Sequence, residues 1–136
     1  MIKNENNLNC SLCPDFLRNQ GIVIEENECC LYVEIPHEIM QGWGLILPKS
    51  HKQTLFELSP KEFSDTHQLL LYAKTRIDNL YKPQGYNVGW NVGKFGEQET
   101  MHAHLHVIPR FKDEPLAGKG IRHWFKQEFN RRKKDN

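Results

Sequence analysis

The sequence predicts an α+β fold: an antiparallel sheet of about five strands, one long helix, and shorter helices near the N- and C-terminal ends. Three observations carry this expectation. Residues 102–108 alternate strictly between two side-chain classes, the period of a strand. Residues 59–81 open with a helix cap and continue with apolar residues at helical spacing. The order along the chain is helix, strands, helix, strands, helix.

Residues 10–20 hold a short helix, with Pro14 near its start and Gly21 after its end. Residues 22–24 and 29–35 read as the two strands of a hairpin, joined by the turn-like Glu26, Asn27 and Glu28. After a loop over 36–42, residues 45–47 form a short apolar strand closed by Pro48. Ser59 fits the N-cap of the long helix, Pro60 its first turn, and Glu62 stands three residues after the cap. Phe63, His67, Leu70, Leu71, Lys74 and Ile77 approximate a stripe running to about Tyr81, before Pro83. Residues 86–91 are a strand flanked by glycines, 93–100 a loop, and 102–108 the clearest strand of the chain. A last helix over 120–129 places Ile121, Trp124, Phe125 and Phe129 on one face.

The 136 residues suit one domain with one core, and the 38% hydrophobic and 26% charged composition is that of a globular chain. Eighteen Lys+Arg against 17 Asp+Glu leave a net charge of +1, which gives no electrostatic case for binding long nucleic acid. The basic run Arg131, Arg132, Lys133 and Lys134 reads as a solvated tail. No apolar stretch approaches the ~20 residues that cross a bilayer, so no membrane association is expected. Residues 1–9 lack the basic start and apolar stretch of a signal peptide, so the expected location is cytoplasmic. That compartment argues against disulfides. Cys29 and Cys30 then read as strand packing, whereas Cys10 and Cys13 have metal-ligand spacing.

The chemistry lies in Met101-His102-Ala103-His104-Leu105-His106-Val107-Ile108. On a strand, His102, His104 and His106 share one face, and Ala103, Leu105 and Val107 share the other. The apolar face belongs in the core, so the imidazoles must line something polar. Residues two apart on a strand are ~6.6 Å apart, and the outer pair spans ~13 Å. Zinc–nitrogen bonds are only ~2.0–2.1 Å. Two neighbours can reach one ion, but three on a straight strand cannot do so readily, so the three are expected to divide their labour.

His102 to Ile108 resembles the histidine-triad (HIT) signature, in which three histidines alternate with apolar residues and two apolar residues follow. Residues 42–51 resemble the family's Gly-His-x-Leu-φ-φ-Pro-Lys-x-His, and Asn91-Val92-Gly93 fits its polar-x-Gly before the triad. The resemblance covers about residues 10–111, with 112–136 a helical extension of a single domain spanning 1–136. It implies a HIT-like sheet and a nucleotide hydrolase acting on the α-phosphorus of a dinucleoside polyphosphate, such as diadenosine tetraphosphate, or of a nucleoside phosphoramidate. His104 would be the nucleophile, forming a nucleotidyl-histidine that water discharges to a nucleoside monophosphate. Neutral imidazole suits that role, because its ordinary pKa is ~6.5.

In the same resemblance, His106, His102 and Gln98 complete the catalytic group, Gln98 aligning with a family glutamine four residues before the first triad histidine. Asn91, Gly93, Gly96 and Thr100 are candidate contacts to a purine nucleotide or dinucleotide. Cys10, Cys13, His51 and His102 match the ligands of a structural zinc, and no organic cofactor is implied. Members pair as homodimers through the long helix and the strand after it.

The chain departs from the family in three places. Glu97-Gln98-Glu99 stands where many members have Gly-Gln-Ser/Thr, Trp43 replaces the usual histidine after Gly42, and Ile35, with Glu34 beside it, occupies the position of an acidic ribose-binding residue. Two rival readings follow: a nucleotidyltransferase using the same intermediate, and a nucleotide- or protein-binding module with little turnover, which Trp43, Glu97 and Glu99 favour. Trp90, Trp124 and Phe125 are expected in the core, His37, His67 and His123 as surface or core residues, and Asp65 and Asp78 as solvated.

Overall fold

The computed structural model describes residues 10–134. Its elements are α1 (Pro14–Asn19), β1 (Val23–Glu26), β2 (Cys30–Glu34), β3 (Gly44–Pro48), α2 (Pro60–Tyr81), β4 (Gly85–Trp90), β5 (Leu105–Arg110) and α3 (Ile121–Phe125), with short 3-10 turns at Leu55–Glu57, Lys94–Gly96 and Glu128–Asn130. The five strands form one sheet in the order β1-β2-β3-β5-β4, and every neighbouring pair is antiparallel. The expected α+β architecture is therefore present. Among the described residues, no helix is long and apolar enough to cross a membrane.

Strand alternation divides the core in two. Cys30, Tyr32, Ile46, Leu105 and Val107 face α2, where Leu69, Ala73 and Ile77 meet them. Leu31, Val33, Leu45 and Leu47 face the opposite way, onto Cys10, Leu12, Cys13 and Leu17. The sheet is thus buried on both sides along β2 and β3 but carries a helix of any length on one side only.

α2 begins as expected: the Ser59 hydroxyl accepts from Glu62 N–H, the Glu62 carboxylate accepts from Ser59 N–H, and Pro60 fills the first turn. It ends with Lys82 in a left-handed conformation (φ 51°) just before Pro83. The buried stripe differs from the expected one. Glu62, Asp65, Thr66, Leu69, Ala73 and Ile77 face the sheet, while Phe63 and Leu71 lie half outside. The helix turns its small and hydrogen-bonding residues inward because the sheet offers partners there. Asp65, expected in solvent, is buried and accepts from the N–H of Cys29 while pairing with Lys61 at 2.8 Å.

The C-terminal helix is shorter than expected. Continuous helix stops at Phe125, and Ile121, Trp124, Phe125 and Phe129 are all exposed and not part of the core. The triad strand also starts later, at Leu105. The ladders to β3 and β4 both stop at Leu105, opposite Ile46 and Trp90. Before it, Ala103 N–H donates to the Lys52 carbonyl at 2.7 Å.

Candidate functional site

Two glycines bring the walls of the site together. Gly42 has φ +80°, and a Cβ there would come within 3.0 Å of both Pro109 and Tyr81. A Cβ on Gly44 would meet the Tyr32 ring at 2.8 Å. Gly42 thus lets the start of β3 approach Pro109 of β5, and Gly44 makes room for Tyr32 of β2; Leu45 lies opposite His106, and Gly89 of β4 stands on the other flank of His106.

Each triad histidine has its tautomer fixed by a different partner. His102 is fully buried, and its Nε2 lies 2.8 Å from the Pro48 carbonyl oxygen. A carbonyl only accepts, so the proton is on Nε2 and the Nδ1 lone pair faces the other way. There it meets Cys10 Sγ at 3.5 Å and Cys13 Sγ at 3.7 Å. His104 is 9% exposed, and its Nδ1 lies 2.7 Å from the His102 carbonyl oxygen. Its proton is therefore on Nδ1, and Nε2 keeps the lone pair. His106 accepts at Nδ1 from the indole N–H of Trp43 at 3.2 Å, so its proton is on Nε2. The rings of His104 and His106 meet edge to face, with centroids 4.8 Å apart.

Burial disfavours the imidazolium in all three. It lowers the pKa of His102 to about 4 and, with the neighbouring His104, that of His106 to about 4; it lowers His104 as well. His104 and His106 accordingly share a face as neutral rings, one presenting a lone pair and one an N–H. His102 belongs to a different site.

That second site joins Cys10, Cys13, His51 and His102, whose ligand atoms all lie within 4.8 Å of one another. Cys13 Sγ is 3.5 Å from His51 Nδ1. Zinc–sulfur bonds of ~2.3 Å and zinc–nitrogen bonds of ~2.0–2.1 Å, at tetrahedral angles, place sulfur and nitrogen about 3.5 Å apart. The donor set and spacing fit a closed tetrahedral zinc site, and the Pro48 carbonyl orients one imidazole ligand from behind. Burial pushes the Cys10 thiol up to about 11, with Cys13 beside it adding to the shift, so a bound cation is what would favour the thiolate.

The loop before the triad is arranged differently from the expectation. Gln98 is buried. Its amide nitrogen donates to the carbonyls of Gln53 (2.6 Å) and Thr100 (3.1 Å), and its oxygen accepts from Gly93 N–H (2.9 Å). Both amide hydrogens are engaged, so Gln98 holds the loop in place and offers no donor to a ligand. The N–H groups of Gly93 and Gly96 donate inside the same turn, to Gln98 and to the Gly93 carbonyl, so neither faces a phosphate here. Asn91 and Thr100 flank the loop, both half-buried. Glu97 and Glu99 are exposed. Glu34 lies on the α2 face, paired with Arg76 (2.7 Å) and with the Tyr81 hydroxyl (2.7 Å), and cannot serve the triad face.

Four contributors are not legible in the sequence as site residues. In sequence Trp43 reads as a departure that favours a binding module, yet it touches His106 directly. Pro48 and Lys52 act through backbone carbonyls, which no side-chain motif announces. The Glu62 carboxylate binds Ser50 (2.6 Å) and Lys52 (2.9 Å) and so fastens the segment carrying His51 to the start of α2. A capping-box glutamate is visible in sequence; its second role is not.

The HIT domain family model matches residues 18–113. The chain belongs to the HIT family. Among its relatives, adenosine 5′-monophosphoramidase hnt1 of Schizosaccharomyces pombe is 31% identical over 80 residues, 59% of this chain and 57% of that protein. The AP-4-A phosphorylase of Mycobacterium tuberculosis is 26% identical over 99 residues, 72% of this chain and 51% of that protein. The chain thus spans little more than half the length of these two curated relatives. A crystal structure of a HIT family protein from Bacillus anthracis superimposes with a TM-score of 0.66 at 28% identity, over 76% of this chain and 77% of that one. The HIT match begins at residue 18, so Cys10 and Cys13 lie before it, although they pack against the HIT core.

Proposed function

We propose that this HIT protein is a nucleotide hydrolase that breaks a phosphoanhydride or phosphoramidate bond at the α-phosphorus of a purine nucleotide or dinucleotide. One observation carries the reading: the 2.7 Å bond from His104 Nδ1–H to the His102 carbonyl, which leaves the Nε2 lone pair directed away from the backbone. In the first step Nε2 gives its electron pair to phosphorus, and the leaving group departs with the bonding pair and takes a proton from solvent. The imidazole becomes cationic as the phosphorus–nitrogen bond forms, and the His102 carbonyl meets that charge through Nδ1–H. In the second step water attacks phosphorus, loses a proton to solvent, and returns the electron pair to Nε2. His106 donates from Nε2–H to a phosphoryl oxygen as negative charge builds. Gln98 keeps the preceding loop in shape, and Asn91 and Thr100 would contact the ribose or phosphate.

Cys10, Cys13, His51 and His102 would hold a zinc ion that ties the N-terminal segment to the triad, a structural and not a catalytic task. The exposed side chains of Phe63, Leu71, Tyr72 and Leu80 on α2, beside the unpaired edge of β4, support assembly as a homodimer.

The names of the relatives support nucleotide chemistry: one is a phosphoramidase, and the other, a phosphorylase, favours a second reading in which phosphate replaces water as the acceptor. One experiment separates these from a binding module. The protein is mixed briefly with α-32P-labelled diadenosine tetraphosphate, quenched in base and mapped. Label on His104 that water discharges supports the hydrolase; discharge only by phosphate supports the transferase; no label on His104 overturns both.

A further inference from the structure

We propose that Trp43 is a positioning residue that fixes His106 as the Nε2–H tautomer, so that the third triad histidine serves as a permanent neutral donor. The inference rests on the hydrolase reading for its catalytic consequence, but its physical content is local. The indole Nε1–H lies 3.2 Å from His106 Nδ1. The two rings are nearly parallel (11°), with centroids 5.9 Å apart. The Nδ1 lone pair lies in the imidazole plane, and near-parallel planes let the indole N–H approach along it.

The indole is itself held. The Trp43 carbonyl accepts from Ile35 N–H at 2.9 Å, and its N–H donates to the Met40 carbonyl at 3.3 Å. Its ring packs against the cluster containing Leu31, Val33 and Leu45, and His37 meets it edge-on at 5.8 Å. His37 is in turn fixed, because its Nδ1 accepts from the backbone N–H groups of Ile39 and Met40.

Tryptophan differs in kind from the histidine usual at this position. Indole N–H only donates and does not titrate, whereas imidazole can donate or accept. A histidine partner leaves the proton on His106 free to move between its nitrogens. Trp43 does not: a proton on His106 Nδ1 would set two N–H groups facing each other. The neighbouring nucleophile candidate carries its proton on Nδ1 and His106 on Nε2, so the lone pair and the donor sit side by side on one face. Trp43 therefore sharpens the site instead of marking its decay.

The test reads the tautomer directly. In protein labelled with 15N-imidazole, long-range 1H–15N correlation spectra of the wild type should show His106 Nδ1 as a bare acceptor nitrogen and Nε2 as the protonated one. Trp43→Phe keeps an aromatic ring but no N–H, and should let the two His106 nitrogen shifts move toward their average. With adenosine 5′-phosphoramidate, kcat of Trp43→Phe should fall about tenfold, the scale of one hydrogen bond, with KM within about twofold. Trp43→His, which can donate or accept, should recover only part of that loss and leave the two His106 nitrogen shifts partly averaged. An Nδ1–H tautomer in the wild type, or unchanged His106 shifts in a folded Trp43→Phe, overturns the proposal. The spectrum of the substrate-free wild type stands apart from turnover, so a failed His104 labelling experiment would remove the hydrolase reading and leave this result to be judged by itself.

Discussion

The carbonyl oxygen of His102 and Nδ1 of His104 are 2.7 Å apart, so the residue that belongs to the cysteine cluster through its side chain also orients the next histidine through its main chain. The HIT signature places these two residues two apart in sequence, with Ala103 between them. Their side chains nevertheless meet different groups, His102 the thiols of Cys10 and Cys13 and His104 the ring of His106.

Replacement of His104 should leave the fold intact and remove turnover. His104→Ala deletes a ring that is mostly buried but lies at the rim of the core, so the expected loss of stability is modest, about 1–2 kcal/mol. Hydrolysis of diadenosine tetraphosphate should fall by at least about 10³-fold, the scale seen when a nucleophile is removed. Rates within tenfold of wild type, with circular dichroism confirming the fold, would remove His104 from the mechanism.

Purified protein should carry one zinc per chain by elemental analysis. Cys10→Ser or prolonged chelation should lower Tm by roughly 10 °C, corresponding to about 3 kcal/mol in a domain of this size. A wild-type protein with well under one zinc per chain, and no change in Tm on chelation, would leave the four residues a metal-free cluster.

The network at the start of α2 makes stability depend on pH. Burial alone would raise the Glu62 pKa, but hydrogen bonds from Ser50, Ser59 N–H and Lys52 outweigh it and hold the carboxyl below its ordinary value. A depressed folded-state pKa gives stability that is present above the unfolded value of about 4.3 and is lost as pH falls through the folded one. Glu62→Gln should therefore cost about 1–3 kcal/mol at pH 7 by urea denaturation. The gap should close as the wild type is titrated below pH 4. An equal gap at pH 7 and at pH 3 would show that charge is not what matters there.

Light scattering should give a mass near twice the 16.0 kDa of the chain. Val88 sits half-exposed on the edge strand β4, and Val88→Asp should shift the population toward monomer, since an edge charge opposes strand-to-strand pairing. A monomeric wild type at micromolar concentration would exclude the dimer.

Much of this was readable in the chain because it depends on local rules. Ser59, Pro60 and Glu62 announce the start of α2 by capping chemistry alone, and the alternation from Leu105 to Ile108 announces β5. The metal set was legible because the thiols and imidazoles keep their family spacing, and the structure brings all four together. What escaped depends on tertiary partners. His102 leaves the expected strand because the ladders end at Leu105 and its ring turns to the Pro48 carbonyl and Cys10. Asp65 turns inward because Cys29 N–H needs an acceptor, and Trp124 and Phe125 stay outside because no element of the described chain covers them. Gln98 reads by position as a catalytic residue, but its amide satisfies three backbone groups of its own loop and of residue 53.

Arg110 closes the strand that carries His106. Its guanidinium binds the Glu114 carboxylate, the Asn87 side chain and the carbonyls of Leu116 and Lys119. The tail beyond residue 113, outside the family match, is thus bolted to β5 at its last position. Cutting the chain there would strand a partly buried cation with a single side-chain acceptor. An expression product trimmed to the family boundary should therefore behave as a damaged protein and not as a minimal one, and mechanical disturbance of the tail would be felt along the strand that bears the imidazoles.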